Sequence, residues 1–184
     1  MLMTLVAQVE NKPGVLNRVA SLFRRRGFNI ESLTVGHTEK PGISRMTMVV
    51  DTDDAGVLRL EANLYKLVNV LSVENVTTTP AVFRDLAMIK VAATPETRAE
   101  IMQLAHVFRA RIVDVNNGSL MIESTGTEDK INGLVEVLRG YGILEMARTG
   151  RLAMTRGAAN GSEVSAGADE HDDLVSDQSV SYSV

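Results

Sequence analysis

Residues 11–38 read NKPGVLNRVASLFRRRGFNIESLTVGHT, and the fold follows from how this stretch changes period. After Pro13-Gly14, apolar residues recur at Val15, Leu16, Val19, Leu22 and Phe23, the spacing of one face of a helix, and Gly27 supplies a stop. From Phe28 to Thr38 the residues become β-branched and apolar in the manner of a strand. Working outward, residues 2–9 form an apolar run suited to a strand, and Ile43-Thr52 forms another after the turn signal Lys40-Pro41-Gly42. Asp53 is placed to cap a second helix with the stripe Val57, Leu60, Leu64, Leu67 and Val68. Val70-Thr77 returns to strand character, so the order is β-α-β-β-α-β.

The plan then repeats. Leu86-Ala93 reads as a strand, and Thr94-Pro95 caps and opens a helix striped by Ile101, Leu104, Ala105 and Phe108. Arg111-Val115 and Ser119-Ser124 flank Asn116-Asn117-Gly118, a hairpin signal. Ile131, Leu134, Val135 and Leu138 mark a fourth helix, and Ile143-Arg148 a last strand. Even the ends of the two first helices correspond: Phe23-Arg24-Arg25-Arg26 in one half, Phe108-Arg109-Ala110-Arg111 in the other. These features predict an α+β protein of two tandem ferredoxin-like βαββαβ domains, residues 1–78 and 85–156, joined near Thr78-Arg84. In this topology both helices lie on one sheet face. Leu5, Val6, Val9, Leu33, Val35, Met46, Met48 and Val50 are expected to supply apolar groups to both faces, leaving one to be covered by domain or subunit pairing.

Charge is unevenly distributed. The net value is -4, but from Gly157 onward there are six acids and no Lys or Arg, which leaves 19 basic against 17 acidic residues in the body. Residues 157–184, rich in Gly, Ser, Ala and Asp, are expected to be a disordered acidic tail, with partner binding as the functional alternative. No apolar run approaches the roughly 20 residues of a membrane span. The opening Leu2-Met3-Thr4-Leu5-Val6 already reads as strand, so no signal peptide is expected and the cytoplasm is the expected compartment.

Catalytic groupings are missing. There is no cysteine, which excludes disulfides, thiolate metal sites and a cysteine nucleophile. His37, His106 and His171 are scattered, and no pair has metal-ligand spacing. Asp53-Asp54 and Glu128-Asp129 fall where helices begin, where acids oppose the helix dipole. RNA-recognition modules share this topology, but they stack bases on sheet aromatics, and the chain has four Phe, three Tyr and no Trp. Arg24-Arg25-Arg26, the sole basic cluster, complements the dipole at a helix end. Contact with an acidic partner is its second reading, and RNA a distant third.

One loop stands out. Glu10-Asn11-Lys12-Pro13-Gly14-Val15-Leu16 ends the first strand and opens the first helix, whose N-terminus offers N–H groups and partial positive charge suited to a carboxylate. Gly14 permits close backbone approach, while Thr94 can occupy the corresponding donors in the second half. Asn29, expected on the adjacent strand after Gly27-Phe28, adds another amide. An amino acid, with its carboxylate and ammonium, suits such a loop, and a simple turn is the equal alternative.

Several stretches bear on that choice: Asn11 to Leu16, Arg26-Gly27-Phe28-Asn29-Ile30-Glu31-Ser32-Leu33-Thr34-Val35, and Ser44-Arg45-Met46-Thr47. With Lys66-Leu67-Val68-Asn69-Val70 and Phe108 to Val115, they closely resemble the small regulatory subunits of acetolactate synthase (acetohydroxyacid synthase). The resemblance covers about residues 1–156. It implies an N-terminal ACT domain, a ferredoxin-like C-terminal domain, and homodimerisation through the ACT domains. It further implies no catalysis by this chain alone, but activation of a catalytic large subunit in branched-chain amino acid synthesis. Thiamine diphosphate, Mg and FAD would belong to that partner, with no cofactor in this chain. The feedback inhibitor, usually L-valine, would sit between paired ACT domains on Asn11, Gly14, Val15 and Leu16, with Asn29 and Ile30 facing them. A free-standing ACT-type amino-acid sensor controlling another enzyme or a transcriptional response is the alternative, and neither membrane nor nucleic acid is an expected partner.

Overall fold

The structure, a computed structural model, describes residues 1–157. In the N-terminal unit β1 (Leu2–Glu10), α1 (Val15–Arg26), β2 (Ile30–His37), β3 (Ile43–Asp51), α2 (Asp54–Leu64) and β4 (Val70–Asn75) follow in the expected order. The chain continues into β5 (Ala81–Ala92), α3 (Arg98–Val107), β6 (Arg111–Val115), β7 (Ser119–Gly126), α4 (Glu128–Arg139), β8 (Ile143–Arg148) and β9 (Leu152–Thr155). The first sheet has the order β2-β3-β1-β4 and the second β6-β7-β5-β8, all neighbours antiparallel. Two ferredoxin-like units in tandem are therefore present. Beyond Gly157 the acidic tail lies outside the described residues.

Local chemistry accounts for most boundaries. Gly27 ends α1 in the left-handed region at φ 72, its N–H reaching back to the last-turn carbonyls beside Arg24, Arg25 and Arg26. Asp53 caps α2 by accepting from Gly56 N at 2.6 Å. Thr127 caps α4 in the same way, and Glu128 and Asp129 fill its first turn. The helix opening expected at Thr94-Pro95 instead begins at Arg98. Thr94 and Thr97 satisfy one another first: Thr94 N donates to Thr97 Oγ1 at 3.0 Å and Thr97 N to Thr94 Oγ1 at 3.3 Å. His106 is exposed on α3.

Each unit has its own core. Met3, Leu5, Val9, Met46, Met48 and Val50 from one sheet pack on Val19, Phe23, Leu60 and Leu64. In the other, Ala87, Ile89, Val91, Leu120 and Ile122 pack on Ile101, Leu134 and Leu138. The register corrects the expectation of apolar groups on both faces. Leu5, Val9, Met46, Met48 and Val50 belong to the helix-side core, Leu33 packs against it, and Val35 pairs with Met46 on the same side. Among the eight residues named, Val6 alone faces away.

That far face is not left for another molecule to cover. β5 starts five residues earlier than expected, and its first four residues, Ala81 to Arg84, pair with β9, a strand that the sequence did not disclose. Ala153 of β9 and Phe83 of β5 pack on Val6 and Val76, and Arg45 Nη2 donates to Ala153 O at 2.9 Å. The segment expected to be linker is thus largely strand, seated on the first sheet.

Candidate functional site

The loop between β1 and α1 is fixed on both sides. Glu10 N donates to Asn69 O at 2.9 Å and Asn11 N to Gly42 O at 2.7 Å. Asn69, 8% exposed, donates from its side chain to Glu10 Oε2 at 2.5 Å and accepts from Arg18 Nη1 at 2.5 Å. Lys12 Nζ joins Glu10 at 3.1 Å. These bonds, the one from Asn69 foremost, hold the Glu10 carboxyl below its ordinary range. Arg18 and Asn69 are supports that the loop's own sequence did not reveal. The signal for Asn69 was its place in the stretch before β4.

Within this frame Gly14 occupies the N-cap of α1 at φ 83, with no side-chain cap on the helix. A Cβ built there meets nothing within 4 Å, so the space above the helix end is open. Its backbone conformation, not crowding, is what favours glycine. Val15 is buried in the core, which leaves only its main chain for a ligand, whereas Leu16 is 44% exposed beside the loop. Asn11 Nδ2 lies 3.4 Å from His37 Nδ1, at the far end of β2.

Asn29 and Ile30 do not join this group within one chain. β3 lies between β1 and β2, so Asn29 is not on a strand adjacent to the loop. It follows Gly27, at the opposite end of α1 from Gly14, ~18 Å away for a 12-residue helix. The register agrees, since Ile30 pairs with Val50 while His37 pairs with Ser44. Asn29 is exposed and donates to Glu31, and Ile30 is half-buried against the core. The six sequence-derived residues thus form two groups, Asn11-Gly14-Val15-Leu16 and Asn29-Ile30, at opposite ends of the edge strand β2.

Among the described residues no group of three or more His, Asp or Glu side chains is arranged to hold a metal ion, and no helix is long and apolar enough to cross a membrane.

Comparison with known proteins agrees with this architecture. A family profile described as "AHAS small subunit-like ACT domain" matches residues 5–72, and one described as "Small subunit of acetolactate synthase" matches residues 84–157. The chain is 54% identical over 154 residues to a "Probable acetolactate synthase small subunit" of Archaeoglobus fulgidus, covering 84% of this chain and 96% of that protein. It is 48% identical over 154 residues to the acetolactate synthase small subunit of Mycolicibacterium smegmatis, covering 84% and 91% respectively. The crystal structure of the acetolactate synthase small subunit from Thermotoga maritima superposes with a TM-score of 0.81 at 41% identity, covering 86% of this chain and 99% of that one. With an ACT unit and a second ferredoxin-like unit in the same order and nearly the full length of its relatives, this chain belongs to the family of acetolactate synthase small (regulatory) subunits.

Proposed function

We propose that this chain activates a separate thiamine-diphosphate-dependent catalytic large subunit and makes it sensitive to feedback inhibition by L-valine. The ACT domain, residues 1–78, carries the sensor, and residues 85–156 form the second domain. Thiamine diphosphate, Mg and FAD reside on the catalytic partner, in the cytoplasm. The observation that carries the sensor reading is the separation of the two half-sites along β2. This strand is the edge of its sheet, and Val35 on it is 43% exposed. An unpaired edge is a template for a second strand. Antiparallel pairing of two β2 edges about a two-fold between Leu33 and Thr34 sets Ile30 against His37 of the second copy. Asn29 of one chain then arrives beside Asn11 of the other, and a homodimer completes two equivalent sites.

The chemistry of each group suits an amino acid. The uncapped start of α1 presents N–H groups and partial positive charge to a carboxylate. Asn11 and Asn29 supply amide oxygens for an ammonium, and Leu16 and Ile30 give an apolar wall for an isopropyl group.

Calorimetric titration of L-valine into the chain together with its catalytic subunit tests this. The expected result is saturable binding, weakened about tenfold or more in Asn29→Ala for the loss of a hydrogen bond to a charged group. Val35→Lys, which sets like charges on the proposed two-fold edge, lowers the dimer fraction in sedimentation and valine binding together. Valine heat equal to dilution, or binding indifferent to Asn29→Ala, overturns the assignment.

A further inference from the structure

The Asn29 half-site is tied to the junction between the two units by a short run of β2. Asn29 Nδ2 donates to Oε1 of Glu31, the one hydrogen-bond partner of the Glu31 carboxylate among the described residues. Glu31 sits where β2 slips against β3, in the irregularity between Ile30 and Ser32. A bulge is a place where the ladder is already interrupted, so a local shift there sacrifices few bonds. Immediately beyond it, Ser32 Oγ accepts from Arg151 N at 2.9 Å and Thr34 Oγ1 donates to Thr149 O at 3.1 Å. Gly150, at φ 85, passes so close that a Cβ would lie 2.3 Å from Ser32 Oγ.

Arg151 extends the junction in three directions. Nη1 donates to Thr4 Oγ1 at 2.9 Å, Nη2 meets Glu128 Oε2 at 2.5 Å, and the guanidinium stands 5.4 Å from the Phe83 ring centroid. Arg148 pairs with Asp85 at 3.0 Å. A cavity of about 470 Å³ opens between these groups, and Glu31 is on its wall with both arginines.

We propose that Glu31 relays effector occupancy from the ACT domain to the C-terminal domain, an inference that rests on the effector reading above. While the site is empty, Glu31 accepts from Asn29. When the Asn29 amide rotates to bring Oδ1 to the effector's ammonium, Nδ2 leaves Glu31 and the carboxylate is released towards Arg148 and Arg151, where it competes with Asp85 and Glu128. The contacts of Ser32 and Thr34 with residues 149–151 shift with the bulge. A ligand moves such an equilibrium only by binding the two arrangements unequally, and exchange of Asn29's partner provides that inequality.

The test uses the full chain reconstituted with the catalytic large subunit, with valine affinity and inhibition measured on the same samples. Glu31→Gln keeps an acceptor for Asn29 and removes the charge offered to the arginines. Thr34→Val removes the bond to Thr149 at similar volume. For both, valine is expected to bind within about threefold of wild type, while maximal inhibition, normalised to each variant's uninhibited rate, falls to less than about half. Unchanged inhibition in both overturns the relay. Binding and inhibition lost in proportion also overturn it, making Glu31 part of the ligand pocket. Wild-type protein that binds no valine overturns the effector reading itself and the relay with it, an outcome distinct from the other two.

Discussion

The first helix opens differently in the two units. At the start of α1, Gly14 in the left-handed region leaves the helix end without a side-chain cap and with open space above it. Before α3, Thr94 and Thr97 turn inward on each other, and Thr94 also holds the Glu96 carboxyl below its ordinary range. The far faces of the sheets differ too. The first is closed by β9 and the start of β5, with Ala153 wholly buried on Val6. The second leaves Met88 40% exposed among Lys90, Met121 and Glu145. Duplicating a fold therefore does not duplicate its helix openings. Neither Gly14 nor Thr97 caps its helix through a side chain, but the turn before α3 is tied by its own hydroxyls and the one before α1 is not.

The largest test of this contrast concerns how independent the two units are. Leu5→Ala and Ile89→Ala each empty a fully buried position in a different core, and each is expected to cost about 2–5 kcal/mol. Because Arg151 and β9 bind the units together, both variants should lower one shared calorimetric transition. Two separated transitions, each moved by one variant only, would break the picture of a joined pair.

A smaller effect separates the two helix openings. Thr94→Ala removes the local acceptor before α3 and should cost about 1 kcal/mol in urea unfolding, with valine inhibition unchanged. Gly14→Asp, whose short polar side chain tolerates the left-handed region, places a carboxylate where the proposed site takes the effector's. It should abolish valine inhibition and retain activation of the catalytic subunit. Similar behaviour of the two variants would erase the distinction.

The smallest effect is the share of the pH dependence that Glu10 contributes in the N-terminal unit. Glu10 has a folded pKa below its ordinary value of 4.5, chiefly through its bond from Asn69. Its stabilisation is therefore present above that ordinary value and is lost as the pH falls through the lowered folded one. Glu10→Gln should flatten the acid limb of the stability profile, read from urea midpoints across that window, and leave the profile near neutrality unchanged in slope.

The repeated β-α-β-β-α-β order was legible in the sequence because period and punctuation agree: Gly27, Asp53 and Asn116-Asn117-Gly118 fall where elements end or begin. Which face a strand residue takes was less legible, since it depends on register and on neighbours far along the chain. Seven of the eight apolar residues named on the first sheet point towards the helices, because the helix-side core claims them. β9 escaped notice for a similar reason: four residues carry little periodicity, and its partner lies some seventy positions back. The Asn11–Leu16 half of the candidate site is contiguous and was readable from local chemistry. The distance to Asn29 was not, because it follows from β3 lying between β1 and β2. Arg151 had no local signal either, as its contacts with Thr4 and Ser32 span 147 and 119 positions.

β5 is one uninterrupted strand of 12 residues, its start laid on the first sheet with β9 and its remainder central to the second. From Ala81 onward the passage from the first sheet to the second therefore contains no swivel. A hinge absorbs rotation in a few free dihedrals, whereas hydrogen-bonded ribbon hands it on like the shaft of a lever. A protease seeking an unpaired bond between Ala81 and Ala92 would find the backbone already engaged, and a twist applied to the first sheet has its shortest exit through the core of the neighbouring domain.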